Sequence, residues 1–92
     1  MKPNVVIINP ADNVAISLED IAQGAPVSLP DSSEFTAAAA IPYSHKVALR
    51  DFAPGDEIRK YGEVIGRAKG PIRKGDWIHG HNIVVGDAEA AQ

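Results

Sequence analysis

Apolar residues fall in short runs rather than along a helical stripe. Val5-Val6-Ile7-Ile8, Val14-Ala15-Ile16, Val27-Ser28-Leu29, Val64-Ile65-Gly66, Trp77-Ile78-His79 and Asn82-Ile83-Val84-Val85 are each bounded by turn residues. Runs of this length between Gly, Pro, Asn and Asp predict strands. The first two, on either side of Asn9-Pro10-Ala11-Asp12-Asn13, predict a hairpin. In His45-Lys46-Val47-Ala48-Leu49 the alternation puts Lys46 and Ala48 on one face. Residues 18–22 have the composition of a single helical turn, stopped by Gly24. The alanines at 37–40 favour helix by propensity, but the run is short and Pro42 closes it, so residues 35–41 are read as a strand. No segment sustains a period of 3.6. The pattern predicts a compact all-β domain over residues 1–86, mainly antiparallel, with a loose tail at 87–92.

One local pattern occurs three times: an apolar residue, two others, Gly, two others, an apolar residue. The copies are Ile21…Gly24…Val27, Phe52…Gly55…Ile58 and Ile72…Gly75…Ile78. A tight turn with Gly at positive φ, leading into a strand whose apolar residue points inward, accounts for this spacing. The intervals between copies are uneven, so the pattern is a reused turn and not a solenoid repeat.

Composition narrows the class. The chain has 92 residues, 45% of them hydrophobic and 23% charged, which fits one small globular domain. Cysteine is absent, which removes disulfides, thiolate metal sites and thiol nucleophiles. The net charge of −3 argues against a nucleic-acid partner. No run approaches the length of a membrane span, so the expectation is a cytoplasmic protein without a membrane partner.

The candidate chemistry lies between residues 45 and 82. All three histidines are there, and His79 and His81 flank Gly80. On an extended segment these two rings project from one face, a spacing suited to two imidazole ligands on one metal, with His45 a candidate third. Imidazole is also the natural proton carrier near neutral pH. Eight of the nine basic residues lie between 46 and 74. Lys46 and Lys60 sit inside apolar patterns and are candidates to hold a carboxylate, with Tyr61 beside them. Lys69, Arg73 and Lys74 read as a solvated face. Asp56 and Asp76 each follow a turn glycine and are assigned to backbone hydrogen bonds. Trp77 reads as core or as an interface anchor. Neither a Ser–His–Asp arrangement nor a phosphate-cradling glycine loop is present.

Taken together, His45-Lys46-Val-Ala-Leu49, Gly55-Asp-x-Ile58-x-Lys60-Tyr61-Gly62-x-x-Ile65-Gly66-x-Ala68 and Ile72-x-x-Gly75-Asp-Trp-Ile-His79-x-His81-Asn82 resemble the N-terminal domain of altronate and galactarate dehydratases. The same segments are similar to the small subunit of sulfolactate sulfo-lyase, and Asp12-Asn13-Val14-Ala15 matches the family's opening. The resemblance implies an SAF-type domain with a β-clip fold. It implies a small subunit, or a separate N-terminal domain, of a sugar-acid hydro-lyase, completed by a large catalytic lyase subunit that accompanies it. On that footing His79 and His81 are expected to act at the reacting centre or on a metal. His45, Lys46, Lys60, Tyr61 and Asn82 are expected to bind the small sugar-acid or hydroxy-acid substrate. A divalent metal (iron, zinc, magnesium or manganese) would be shared with the partner. The alternatives are a sulfo-lyase subunit, a non-catalytic module that binds a sugar acid, and a purely structural domain. Homo-oligomerisation is left open by the sequence.

Overall fold

A computed structural model describes residues 2–84. The tail expected at 87–92 lies outside the described residues. Nine strands follow one another: β1 (Val5–Val6), β2 (Val14–Ser17), β3 (Pro26–Ser28), β4 (Glu34–Thr36), β5 (Lys46–Ala48), β6 (Glu57–Lys60), β7 (Glu63–Ala68), β8 (Trp77–Ile78) and β9 (Ile83–Val84). The described residues contain no helix, and none is therefore long and apolar enough to cross a membrane. The fold is all-β and every strand pair is antiparallel.

The organising element is a four-stranded sheet in the order β1-β2-β5-β8. Its strands are only two to four residues long, yet both of its faces are covered. Because neighbouring side chains on a strand alternate between faces, Val5, Ala15 and Val47 point one way and Val14, Ala48 and Ile78 the other. The first set joins Ile21, Val27, Ala37 and Ile41 in one core cluster, against which Trp77 packs. The second joins Phe52, Ile58, Ala68 and Ile72 in another. The β3–β4 hairpin closes over the first cluster and the β6-β7-β9 sheet over the second.

The thrice-used turn is what delivers these residues. Gly24, Gly55 and Gly75 have φ of 86°, 86° and 92°. In each copy the residue after the glycine donates its N–H to the carbonyl three residues back: Ala25 to Ala22, Asp56 to Ala53, Asp76 to Arg73. Positive φ at the third position makes these type II turns, a geometry that suits glycine there. The flanking apolar residues Ile21, Val27, Phe52, Ile58, Ile72 and Ile78 are all buried, as the spacing required. The carboxylates of Asp56 and Asp76 accept the N–H groups of Ala53 (2.8 Å) and Arg73 (2.9 Å), the backbone role expected of them.

Two local expectations are corrected. Residues 18–22 form no helical turn; Ile21 makes an antiparallel bridge to Ile41 and exchanges hydrogen bonds of 2.8 and 2.7 Å with it. The strand expected over 35–41 stops at Thr36. There the backbone changes partners: Ala37 N–H donates to Ala25, but Ala38 N–H donates to Gly75 on a different part of the fold. A ladder cannot continue through such a switch.

Candidate functional site

The register of β5 and β8 assembles the imidazoles. Val47 faces Trp77 and Lys46 faces Ile78. Extending that register by one residue puts His45 opposite His79, and their rings stack with centroids 5.6 Å apart. Trp77 lies among all three histidines, with ring centroids at 5.6 Å from His45, 4.8 Å from His79 and 5.3 Å from His81. His79 and His81 are 6.2 Å apart. The Trp77 indole N–H donates to Nδ1 of His45 at 3.0 Å. His45 and Trp77 are half-buried, whereas His79 and His81 are exposed.

The loop carrying His79 and His81 is framed by Asn82. Its side-chain oxygen accepts the His79 N–H (3.0 Å), and its side-chain amide donates to the Trp77 carbonyl (2.9 Å). A backbone hydrogen bond from Asn82 N–H to the His79 carbonyl closes the turn. The structure thus gives Asn82, read from the sequence as a substrate ligand, a backbone-positioning role. Lys69, read as solvated, reaches the Gly80 carbonyl at 3.2 Å. A methyl group at Gly80 would meet no atom within 4 Å, so the loop's tip is open to an approaching chain or ligand.

Lys46 emerges at the same end of β5 as His45 but, by strand alternation, from the opposite face. It is half-buried. Burial, and secondarily the charge of Lys60, hold its pKa below the ordinary lysine value. Among the described residues neither lysine has a carboxylate within ion-pair distance. The Lys60 ammonium lies 4.9 Å from the centre of the exposed Tyr61 ring. Arg59 and Arg67, by contrast, are both engaged by Glu57.

Two residues with no role assigned from the sequence hold this second group. Asp12 is buried, and its carboxylate accepts the N–H groups of Asn9 (3.1 Å), Tyr61 (3.1 Å) and Gly62 (2.7 Å). Asn13 lies against the edge of β6, donating to the Glu57 carbonyl and accepting from the Arg59 N–H, at 2.9 and 2.8 Å. There it spans the register shift between Ile58 and Arg59. An Asp-Asn pair closing a turn is visible in the sequence, but its partners some fifty residues away are not.

The described residues contain no group of three or more His, Asp or Glu arranged to hold a metal ion. Among the described residues His79 and His81 therefore supply two imidazoles with no third ligand placed to share a metal with them.

Residues 3–86 match the altronate/galactarate dehydratase SAF domain, and the chain belongs to that family. It is 41% identical over 75 residues to altronate dehydratase of Escherichia coli, a match covering 82% of this chain and 15% of that protein. To the galactarate dehydratase (L-threo-forming) of the same organism it is 41% identical over 81 residues, 88% of this chain and 15% of the relative. To the (2R)-sulfolactate sulfo-lyase subunit alpha of Paracoccus pantotrophus it is 46% identical over 54 residues, 56% of this chain and 81% of that subunit. The chain therefore spans only a small part of the dehydratases it matches.

Proposed function

From that membership we propose that this domain lines one wall of the active site of a cytoplasmic sugar-acid hydro-lyase. The rest of that site comes from a larger catalytic polypeptide, carried as a separate subunit or as a following domain. The observation that carries the reading is the gathering of His45, His79 and His81 around Trp77, with the two outer rings exposed at an open loop.

The reaction explains the residue types. Dehydration of a hydroxy acid removes the proton on the carbon next to the carboxylate. Hydroxide leaves from the following carbon and departs, with a proton, as water. Two exposed imidazoles on one loop suit the delivery or removal of these protons. Lys46 and Lys60, neither of them ion-paired among the described residues, suit the substrate's carboxylate. An anion placed there would offset the cost of burying the Lys46 ammonium and, secondarily, its repulsion from Lys60. A divalent metal in the assembled enzyme would supply stabilisation of the developing enediolate, and the partner would have to provide most of its ligands.

The test joins the purified chain to its large partner and follows dehydration of altronate and galactarate. His79→Ala with His81→Ala should lower kcat/KM by about 10²–10⁴-fold, with the unfolding midpoint unchanged. Full activity in the double variant overturns the assignment. A sulfo-lyase is the second reading, favoured by the match that covers 81% of the Paracoccus alpha subunit. Sulfite release from sulfolactate, with no dehydration of either sugar acid, selects it.

A further inference from the structure

We infer that Trp77 is a positioning residue that locks His45 as its Nε2–H tautomer, so that His45 offers the substrate a neutral N–H donor and is withheld from any metal. Only the identity of the molecule receiving that hydrogen bond rests on the function proposed above.

The backbone fixes where His45 sits. Its N–H donates to the Ser17 hydroxyl (3.1 Å) and its carbonyl accepts the Ser17 N–H (2.9 Å). What remains is the ring, which Trp77 orients. Indole nitrogen is a donor only, so the His45 nitrogen it meets must present a lone pair. That nitrogen is Nδ1. In a neutral imidazole the single proton then resides on Nε2. Among the described residues Nε2 has no hydrogen-bond partner, and no buried side-chain nitrogen or oxygen is left unpaired. Nε2 is therefore not buried and is accessible to solvent. No carboxylate forms an ion pair with any of the three histidines among the described residues, so nothing acidic competes to draw the proton to Nδ1.

Two consequences separate His45 from its neighbours. Its outward nitrogen has a proton and no lone pair, so it can donate to a hydroxyl or carboxylate oxygen but cannot ligate a metal while the indole bond stands. His79 and His81 carry no such constraint. One hydrogen bond thus divides the three imidazoles into a fixed donor and two without that constraint.

The experiment is long-range proton–nitrogen NMR on the full chain carrying nitrogen-15 histidine and tryptophan, at a pH where imidazole is neutral. The expected result is an unprotonated, pyridine-like Nδ1 and a protonated, pyrrole-like Nε2 for His45. A through-hydrogen-bond coupling should join Nδ1 to the Trp77 indole nitrogen. Trp77→Phe should abolish the preference and leave His45 exchanging between tautomers. The wild-type coupling serves by itself if that variant does not fold. Saturating zinc should leave the His45 signals in place. A protonated Nδ1, an absent coupling, or zinc-induced displacement of the His45 signals overturns the inference. None of these readings needs the lyase partner, so their failure is distinct from failure of the proposed function.

Discussion

A hairpin tip and a turn linking two sheets present the candidate residues, and they are held in different ways. The tip between β6 and β7 has Tyr61 and Gly62 at φ of 58° and 76°, the two positive values of a type I′ turn. A tyrosine in that conformation costs on the order of 1 kcal/mol. The strain is offset by the buried Asp12 carboxylate, which takes both N–H groups from the far side of the chain. The tip between β8 and β9 contains no positive φ; the side chain of Asn82 frames it through bonds within five residues, and Lys69 adds bonds from its N–H to the Asn82 carbonyl and from its ammonium to the Gly80 carbonyl. One tip is tied by a buried carboxylate nearly fifty residues away; the other, carrying two exposed histidines, is framed mainly by the side chain of its own Asn82. The first is held by a long-range contact, the second mostly by its own short sequence.

The sharpest way to break this contrast is to remove Asp12. Asp12→Ala orphans three N–H groups and should cost on the order of 3 kcal/mol, read as a lower denaturant midpoint. A loss below about 1 kcal/mol would mean the tip holds itself. Asn82→Ala removes two local hydrogen bonds and should cost only about 1–2 kcal/mol. The amide protons of residues 79–82 should exchange faster while those of β6 and β7 do not. Tyr61→Asn should stabilise the chain by roughly 0.5–1 kcal/mol, since Asn tolerates left-handed backbone. If Tyr61 contacts substrate, KM rises in the same variant, and a gain of stability without a change in KM removes Tyr61 from the binding set. The smallest effect concerns charge. The folded-state pKa of Lys46 lies below its unfolded value of 10.5. Its ammonium therefore weakens the fold at every pH below the folded pKa, and that penalty fades as pH rises towards 10.5. Lys60→Met removes the lesser of the two causes, so NMR titration should show the Lys46 pKa rising part of the way back. An unchanged midpoint would mean that Lys60 does not act on Lys46.

Legibility from the sequence follows the range of the interactions. The glycine turns at 24, 55 and 75 are set within seven residues, and their pattern alone gave both the backbone conformation and the buried flanks. The roles of Asp56 and Asp76 were visible for the same reason. The strand over 35–41 was not, because Ala38 hydrogen-bonds to Gly75 and no local preference encodes such a change of partner. Asp12 and Asn13 could be seen as turn residues, but what they hold is 44 to 50 residues away. Lys46 and Ala48 sharing a face followed from alternation; that the charge of Lys60 lowers the Lys46 pKa did not.

Local patterning along the chain was enough to set an all-β architecture, its turn chemistry and its apolar inward positions. These depend on torsional preference and on period, which act over a few bonds. Only the tertiary structure decided that His45 stacks on His79, that Trp77 supplies a proton donor to one imidazole of three, and that Asp12 stabilises a strained tyrosine. Each requires two strands to meet in one register, and register is fixed by burying both faces of the central sheet at once, a condition that belongs to the whole molecule.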